Sequence, residues 1–370
     1  MKKSFHKMLV LELLFLSSML SCGGEPQKDT ESLKVGFIYV GPRDDYGYNQ
    51  AHAEGASVAR GLSGVQIIEQ EKVAETIDVQ KAMEGMIEQD GVKVIFATSF
   101  GYFDPHVVLM AKKYPDVIFF HCGGLYQEGV HPKNIVSYFG YIDEGQYLNG
   151  MAAGYATKTN KLGFIAAKPI PQVLRNINAF TLGAKSVNPN ITTTVIFTGD
   201  WSLPVAEANA TNSLVDQGID VITMHVDSPK VIVQEAEKRG IFVAGYHANQ
   251  SVLAPKGYLT GAEWNWGAIY SSFIEQVRAG NFPGNFVRGG MKDGFVKMSP
   301  FGPALSVQAK TNIEQVKAQI MQGNFVIFKG PLYDNKKILR IPGGVGLIQT
   351  DPILEKMDYL IEGVIGSTGL

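Results

Sequence analysis

Cysteine is scarce in this chain. Of 370 residues only Cys22 and Cys122 carry a thiol. At most one disulfide is possible, so the fold has to be held by its core and not by covalent staples. Long apolar runs are missing as well. Beyond the first residues no stretch approaches the ~18 apolar residues that suggest a membrane-spanning helix. There is no basic block either, with 33 Lys and Arg against 35 Asp and Glu, so nucleic acid is not an expected partner. Catalytic signatures are absent: no GxSxG elbow, no HExxH, no GxxxxGK[ST] loop and no GxGxxG after a strand. His225 and His247 stand singly, without ligand-spaced partners, so neither a metal nor a cofactor is expected. Paired carboxylates occur at candidate-site positions only as Asp44-Asp45. These absences rank an enzyme, for example a nucleoside hydrolase, last and favour binding.

What is present begins at the N-terminus. Lys2, Lys3 and Lys7 form a basic region, and residues 8–20 are mostly apolar, interrupted by Glu12. Residues 1–21 read as a secretory signal peptide, too short to span a bilayer. Cys22 follows Met19-Leu20-Ser21, a loose form of the box that precedes a lipidated cysteine, and is the expected acyl acceptor. Residues 22–32 then have the polar composition of a flexible tether. Such a protein would be anchored to the extracytoplasmic face of a membrane without spanning it. The signal region carries a net +2, so removing it takes the formal −2 to −4. With Cys22 acylated, Cys122 in VIFFHCGG is expected to be a small buried hydrophobe.

From residue 34 short apolar runs alternate with amphipathic segments. LKVGFIYVG, VQIIEQE, VKVIFATS and DVIFFHC read as strands, with helices at 50–60, 79–89 and 106–113 between them. The pattern then restarts. A helix at 144–159 with small residues on one side precedes the strands KLGFIAA, TTTVIFT, DVITMHV and IFVAGY, separated by helices at 173–186, 204–217 and 229–239. Continuous apolar strands alternating with helices predict parallel sheets covered on both faces. Two such units predict an α/β clamshell with a cleft between two doubly wound domains. Ligands of open α/β sheets sit outside the carboxyl ends of the strands. The loops to inspect are therefore 39–49, 99–104, 168–175, 199–203, 225–228, 247–250 and 264–267.

Those loops are rich in aromatics and short polar groups. GPRDDYGYNQ at 41–50 supplies Asp45 and Tyr48, and SFGY at 99–102 supplies Phe100 and Tyr102. The chain has three tryptophans, and Trp201, Trp264 and Trp266 all fall at strand ends. A planar heterocycle needs stacking faces and in-plane hydrogen-bond partners, which this set offers. Asp227 in HVDS can accept from an amine or ring N–H, or else cap the next helix. Asp44 or Asp45 has the same two readings.

Three stretches carry a resemblance. DDYGYNQ at 44–50 is similar to DDxSFNQ, DEGQYLNGMAAG at 143–154 to EEGAYLAGxxAG, and PIPQVLRNINAFTLGAKSVNP at 169–189 to PIPEVxRxINxFxxGxxSVNP. These are motifs of the basic membrane protein (Bmp) family of ABC-transporter solute-binding lipoproteins, which includes purine nucleoside receptors. The resemblance runs from about residue 33 to 363. It implies a type I periplasmic-binding-protein clamshell whose lobes are joined by a multi-crossing hinge. The expected lobes are 33–142 plus 250–298 and 143–249 plus 299–370. It also implies that Tyr48 stacks on a purine and that Trp201 completes the sandwich. An Asp that nucleoside binders place after the first strand is Tyr39 here. Their ribose-binding acids and Lys, in GxDxDQ and TSxxK, are replaced by His247, Asn249 and Trp264. Losing both carboxylate and cation implies a flat ligand without a sugar. The expectation is an ABC-importer receptor for a purine nucleobase resembling adenine, held by Tyr39, Asp45, Tyr48, Phe100, Tyr102, Asn178, Trp201, Asp227, His247 and Trp264. It would act as a monomer with permease and ATPase subunits on other chains. A nucleoside, a riboflavin-like ligand or a sensing role without transport are the alternatives.

Overall fold

The computed structural model describes residues 32–369. The expected signal segment, the acyl acceptor Cys22 and the tether up to residue 31 lie outside the described residues. In the first half β1 (Leu33–Ile38), α1 (Tyr48–Ala59), β2 (Val65–Gln70), α2 (Ile77–Glu88), β3 (Val94–Ala97), α3 (Val108–Lys113), β4 (Ile118–Cys122) and β5 (Ile135–Gly140) follow one another. The second half repeats the alternation: α4 (Asp143–Ala156), β6 (Lys161–Ala166), α5 (Pro171–Val187), β7 (Thr192–Phe197), α6 (Pro204–Asp216), β8 (Val221–His225), α7 (Lys230–Arg239), β9 (Phe242–His247) and β10 (Tyr258–Trp264). Then α8 (Trp266–Arg278) and β11 (Phe286–Gly289) return to the first lobe. The second lobe is completed by β12 (Val296–Met298) and α9 (Val307–Met321).

The first sheet has the order β11-β5-β4-β3-β1-β2, with every pair parallel. The second runs β12-β10-β9-β8-β6-β7, with Val364–Ile365 added in parallel beyond β7 and β12 antiparallel to β10. Both lobes therefore share one winding, β2-β1-β3-β4-β5 matched by β7-β6-β8-β9-β10. This is the type I periplasmic-binding-protein fold. Each sheet reverses direction at a switch point, β1/β3 and β6/β8, where successive helices leave to opposite faces and open a crevice. The inner strands β3 and β8 are buried throughout, as strands covered on both sides must be.

The small residues anticipated at 144–159 have a specific use. A Cβ on Gly150 would lie 1.9 Å from the Phe180 carbonyl oxygen, and one on Gly183 would lie 1.9 Å from that of Tyr147. α4 and α5 thus pack backbone to backbone. Any larger side chain at either position would force them apart.

The lobe boundaries differ from expectation. The expected first lobe includes 250–298, but β10 is hydrogen-bonded to β9, and β12 to β10, so both belong to the second sheet. The chain passes between sheets at 140–143, 264–266 and 289–296. The sequence places Trp264 at a strand end without saying which sheet that strand joins, since that depends on pairing. Neither β5 nor α8 was anticipated as an element. At the first crossing Arg175 Nε pairs with Asp143 Oδ2 at 3.1 Å, both side chains almost fully buried. Glu144 Oε2 accepts from Met291 N at 2.6 Å and ties the first crossing to the third. Burial pushes the Glu144 carboxyl up to about 7.

Candidate binding cleft

The strand-end loops of both lobes enclose a cavity of about 400 Å³. The first lobe contributes Tyr48, Phe100, Cys122 and Phe139, and the second Trp201, His225, Asp227, His247 and Trp264. The volume falls within the usual range of small-molecule sites.

Tyr48 is the first residue of α1. Its OH donates to the Thr98 carbonyl at 2.6 Å, which fixes the ring at the helix start. The ring meets His52 and His247 edge-on, with centroids at 4.5 and 5.4 Å. Trp264 stacks on Trp266 at 4.7 Å and 16°. Trp266 stacks in turn on His52 and Tyr270 and is 1% exposed, so it backs the wall without forming it. Trp201 lies on the rim with its ring 5.9 Å from that of His225. Phe100 is 62% exposed at the cavity mouth.

The polar groups are few and mostly spoken for. Trp264 Nε1 donates to His247 Nδ1 at 2.9 Å, so His247 carries its proton on Nε2. Nε2 is buried without a hydrogen-bond partner among the described residues. Burial, then the neighbouring His225 and His52, hold His247 well below its ordinary range, so it is neutral. Its backbone has φ 74°, an unfavourable region for a residue with a Cβ, and such strain concentrates at ligand sites. His225 Nδ1 accepts from Asn176 Nδ2 at 2.9 Å, and burial lowers it to about 3. Glu75 accepts from Ser99 Oγ and from Gly101 N. Asp200 pairs with Lys168 at 2.8 Å. Cys122 is buried as expected, and burial pushes its thiol up to about 12, but it also lines the cavity next to Tyr48.

Asp227 differs from these. Its N–H donates to the Trp201 carbonyl at 2.7 Å and its carbonyl accepts from Tyr48 N at 2.8 Å. Its carboxyl takes no hydrogen bond among the described residues and faces the cavity. Burial, reinforced by Asp45, Glu75, Asp200 and Glu207, raises it well above the usual carboxylate range.

The Tyr48–Asp227 bond joins the two lobes. A second bond does the same, Gln250 Nε2 donating to the Tyr46 carbonyl at 2.7 Å. Gly47 lies between them. A Cβ there would be 2.0 Å from the Asp227 carbonyl oxygen and 2.4 Å from Pro229 Cδ. The lobes are therefore closed upon one another at this point.

Of the ten expected ligand residues, the fold brings Tyr48, Phe100, Trp201, Asp227, His247 and Trp264 to the cavity. The other four are used elsewhere, which corrects the expectation for each. Tyr39 is in the core of the first lobe, its OH donating to Glu69 Oε1 at 3.0 Å. Asp45 caps α1: Oδ1 accepts from Gly47 N and Gln50 N, and Oδ2 from Asn49 N and Asn49 Nδ2, all within 3.0 Å. Tyr102 is buried with its OH on the Val73 carbonyl. Asn178 holds the C-terminal segment, donating to the Tyr359 carbonyl and accepting from Ile361 N. Phe139 and Gln172 line the cavity without having been singled out. Phe139 lies on β5, which the sequence pattern had not revealed, whereas Gln172 lies in the 168–175 loop already marked for inspection. Groups of His, Cys, Asp and Glu able to hold a metal are absent among the described residues. No described helix is long and apolar enough to cross a membrane.

Residues 32–330 match the Bmp family model, described as ABC transporter substrate-binding protein, PnrA-like. The chain is 37% identical over 338 residues to a purine-binding protein of Brucella abortus, covering 90% of this chain and 93% of that one. It is 31% identical over 345 residues to a putative ABC transporter glucose-binding protein of Haloferax volcanii, covering 93% and 83% respectively. A solved ABC transporter solute-binding protein from Conexibacter woesei superposes with a TM-score of 0.67 at 19% identity, covering 80% of this chain and 98% of that one, a likeness of fold. With its paired lobes, enclosed cleft and family match, the chain belongs to the PnrA-like (Bmp) family of ABC transporter substrate-binding proteins.

Proposed function

We propose that this protein captures a free purine base, adenine-like, for an ABC importer, and that it does so without chemical turnover. The observation that carries the reading is one cavity in which Tyr48, Trp201 and Trp264 meet a carboxyl group, Asp227, that has no hydrogen-bond partner among the described residues. Aromatic faces take up a flat ring at about 1–3 kcal/mol per stacked base, and the unpartnered carboxyl gives one edge of that ring a place to bond. The relative from Brucella abortus, described as purine-binding, supports the same class. The replaced acids fit a ligand without a sugar: His247 Nδ1 is bound to Trp264, and the Asn249 side chain accepts from Ser251 N. The receptor is monomeric and held to the extracytoplasmic membrane face through Cys22, and it delivers to permease and ATPase subunits on other chains.

A nucleoside is the second reading, favoured by one feature. The Lys168–Asp200 pair at the cavity edge sets a cation beside a carboxylate, a combination that can hold vicinal hydroxyls. Calorimetric titration with adenine, guanine, inosine, riboflavin and glucose separates these readings, together with mass spectrometry of the small molecule that co-purifies. Adenine in the micromolar range or tighter is the expected result. Tight binding of inosine or glucose with adenine unbound would overturn it.

A further inference from the structure

Asp227 lines the cleft with a side chain that makes no hydrogen bond among the described residues. Both backbone groups of the residue are committed, the N–H to Trp201 and the carbonyl to Tyr48, so the side chain is held in place with only the cavity in front of it. The groups packed around it are acidic or neutral. The charges that act on it are those of Asp45 in the loop before α1, Glu75 in the loop before α2, Asp200 in the loop after β7, and Glu207 on α6. Lys168 is tied to Asp200. Lys230, on the neighbouring helix α7, is exposed and lies over the Tyr46 ring. His225 and His247 are both held neutral by burial. An ionised Asp227 in the closed cleft would have no counter-ion and no hydrogen bond among the described residues, an arrangement that disfavours the charge. Burial and these four acids push its carboxyl well above the usual carboxylate range.

A carboxylate offers two acceptors, whereas a carboxylic acid offers one donor and one acceptor side by side. We propose that Asp227 reads the ligand as a carboxylic acid, its O–H and C=O meeting a ring edge that sets an acceptor nitrogen beside an amino donor. The proposal rests on the purine reading above and deepens it. The cleft would select adenine, whose amino group adjoins ring nitrogens, over guanine, whose Watson–Crick edge presents two adjacent N–H donors suited to a carboxylate. A neutral acid in an apolar site can act as a hydrogen-bond donor in this way.

The test is calorimetric titration of the full chain and of Asp227→Asn with adenine and guanine across the neutral and alkaline range. Asn also presents a donor beside an acceptor and cannot titrate. Adenine is expected to bind more tightly than guanine. Its affinity should fall by up to about tenfold per pH unit once the acid form is depleted. Asp227→Asn should keep adenine affinity within about tenfold of the parent and abolish the alkaline fall. A flat pH profile in the parent would overturn the proposal while leaving the purine reading intact. So would a preference for guanine, or loss of adenine binding in a folded Asp227→Asn. If neither base binds the parent at any pH, the purine reading fails and this one with it.

Discussion

Asp45 and Asp227 are the same chemical group in two comparable places, each in a loop at the carboxyl end of a strand beside a switch point. Asp45 is surrounded by N–H groups: three from the backbone and one from Asn49 fill its oxygens. Asp227 has none. The turn into α1 curls its first amides back onto Asp45. α7 instead starts after Pro229, and its entry has no side-chain cap. The comparison teaches that a strand-end carboxylate becomes a helix cap or a ligand group according to where the next few amides point. Residue type alone does not decide it.

Substitutions can break that comparison. Asp45→Ala strands three backbone donors and should cost about 3 kcal/mol of stability, read as a lower Tm without ligand. Asp227→Ala should leave that Tm unchanged or raised and lower ligand affinity instead. A fall in Tm of similar size for both would erase the distinction. Tyr48→Ala and Trp201→Ala should each weaken binding by about 1–3 kcal/mol in calorimetry if they stack on a base. Affinity unchanged in both would end the sandwich arrangement. Gly47→Ala probes the contact between the two loops. Its methyl would collide with the Asp227 carbonyl, so closure should be impaired and affinity should drop by about tenfold or more, with Tm unaltered in the ligand-free protein.

A third buried carboxylate, Glu144, sharpens the rule through pH. It accepts one backbone hydrogen bond, and burial raises it to about 7 from the 4.5 of a free glutamate. The folded protein therefore holds a proton that the unfolded chain releases earlier. Stability falls as pH rises between those values, and the penalty is complete above about 7. Glu144→Gln keeps an acceptor for the Met291 amide. Its gain in Tm over the parent should be absent below about 4.5 and largest above about 7. A gain independent of pH would show that the proton is not the cause.

The cleft was partly legible in advance because parallel sheets place their loops by rule. Trp201, Trp264, Tyr48 and Phe100 reached the cavity from strand ends that periodicity alone had marked. Tyr39 and Tyr102 come from strand-end regions too, but their rings turn into the core, where Glu69 and the Val73 carbonyl take their hydroxyls. Such turns depend on side-chain packing between elements far apart in the chain. The boundary near residue 250 was misplaced for the same reason.

By itself the sequence determined that the chain forms parallel sheets covered by helices on both faces, because near-continuous apolar strands spaced by helices have to be buried on both sides. It also determined the family and the aromatic character of the cleft. Only the tertiary structure decided which acid caps a helix and which lines the cavity. Hydrogen-bond saturation depends on the direction of amides in three dimensions, and a one-dimensional pattern does not carry that direction.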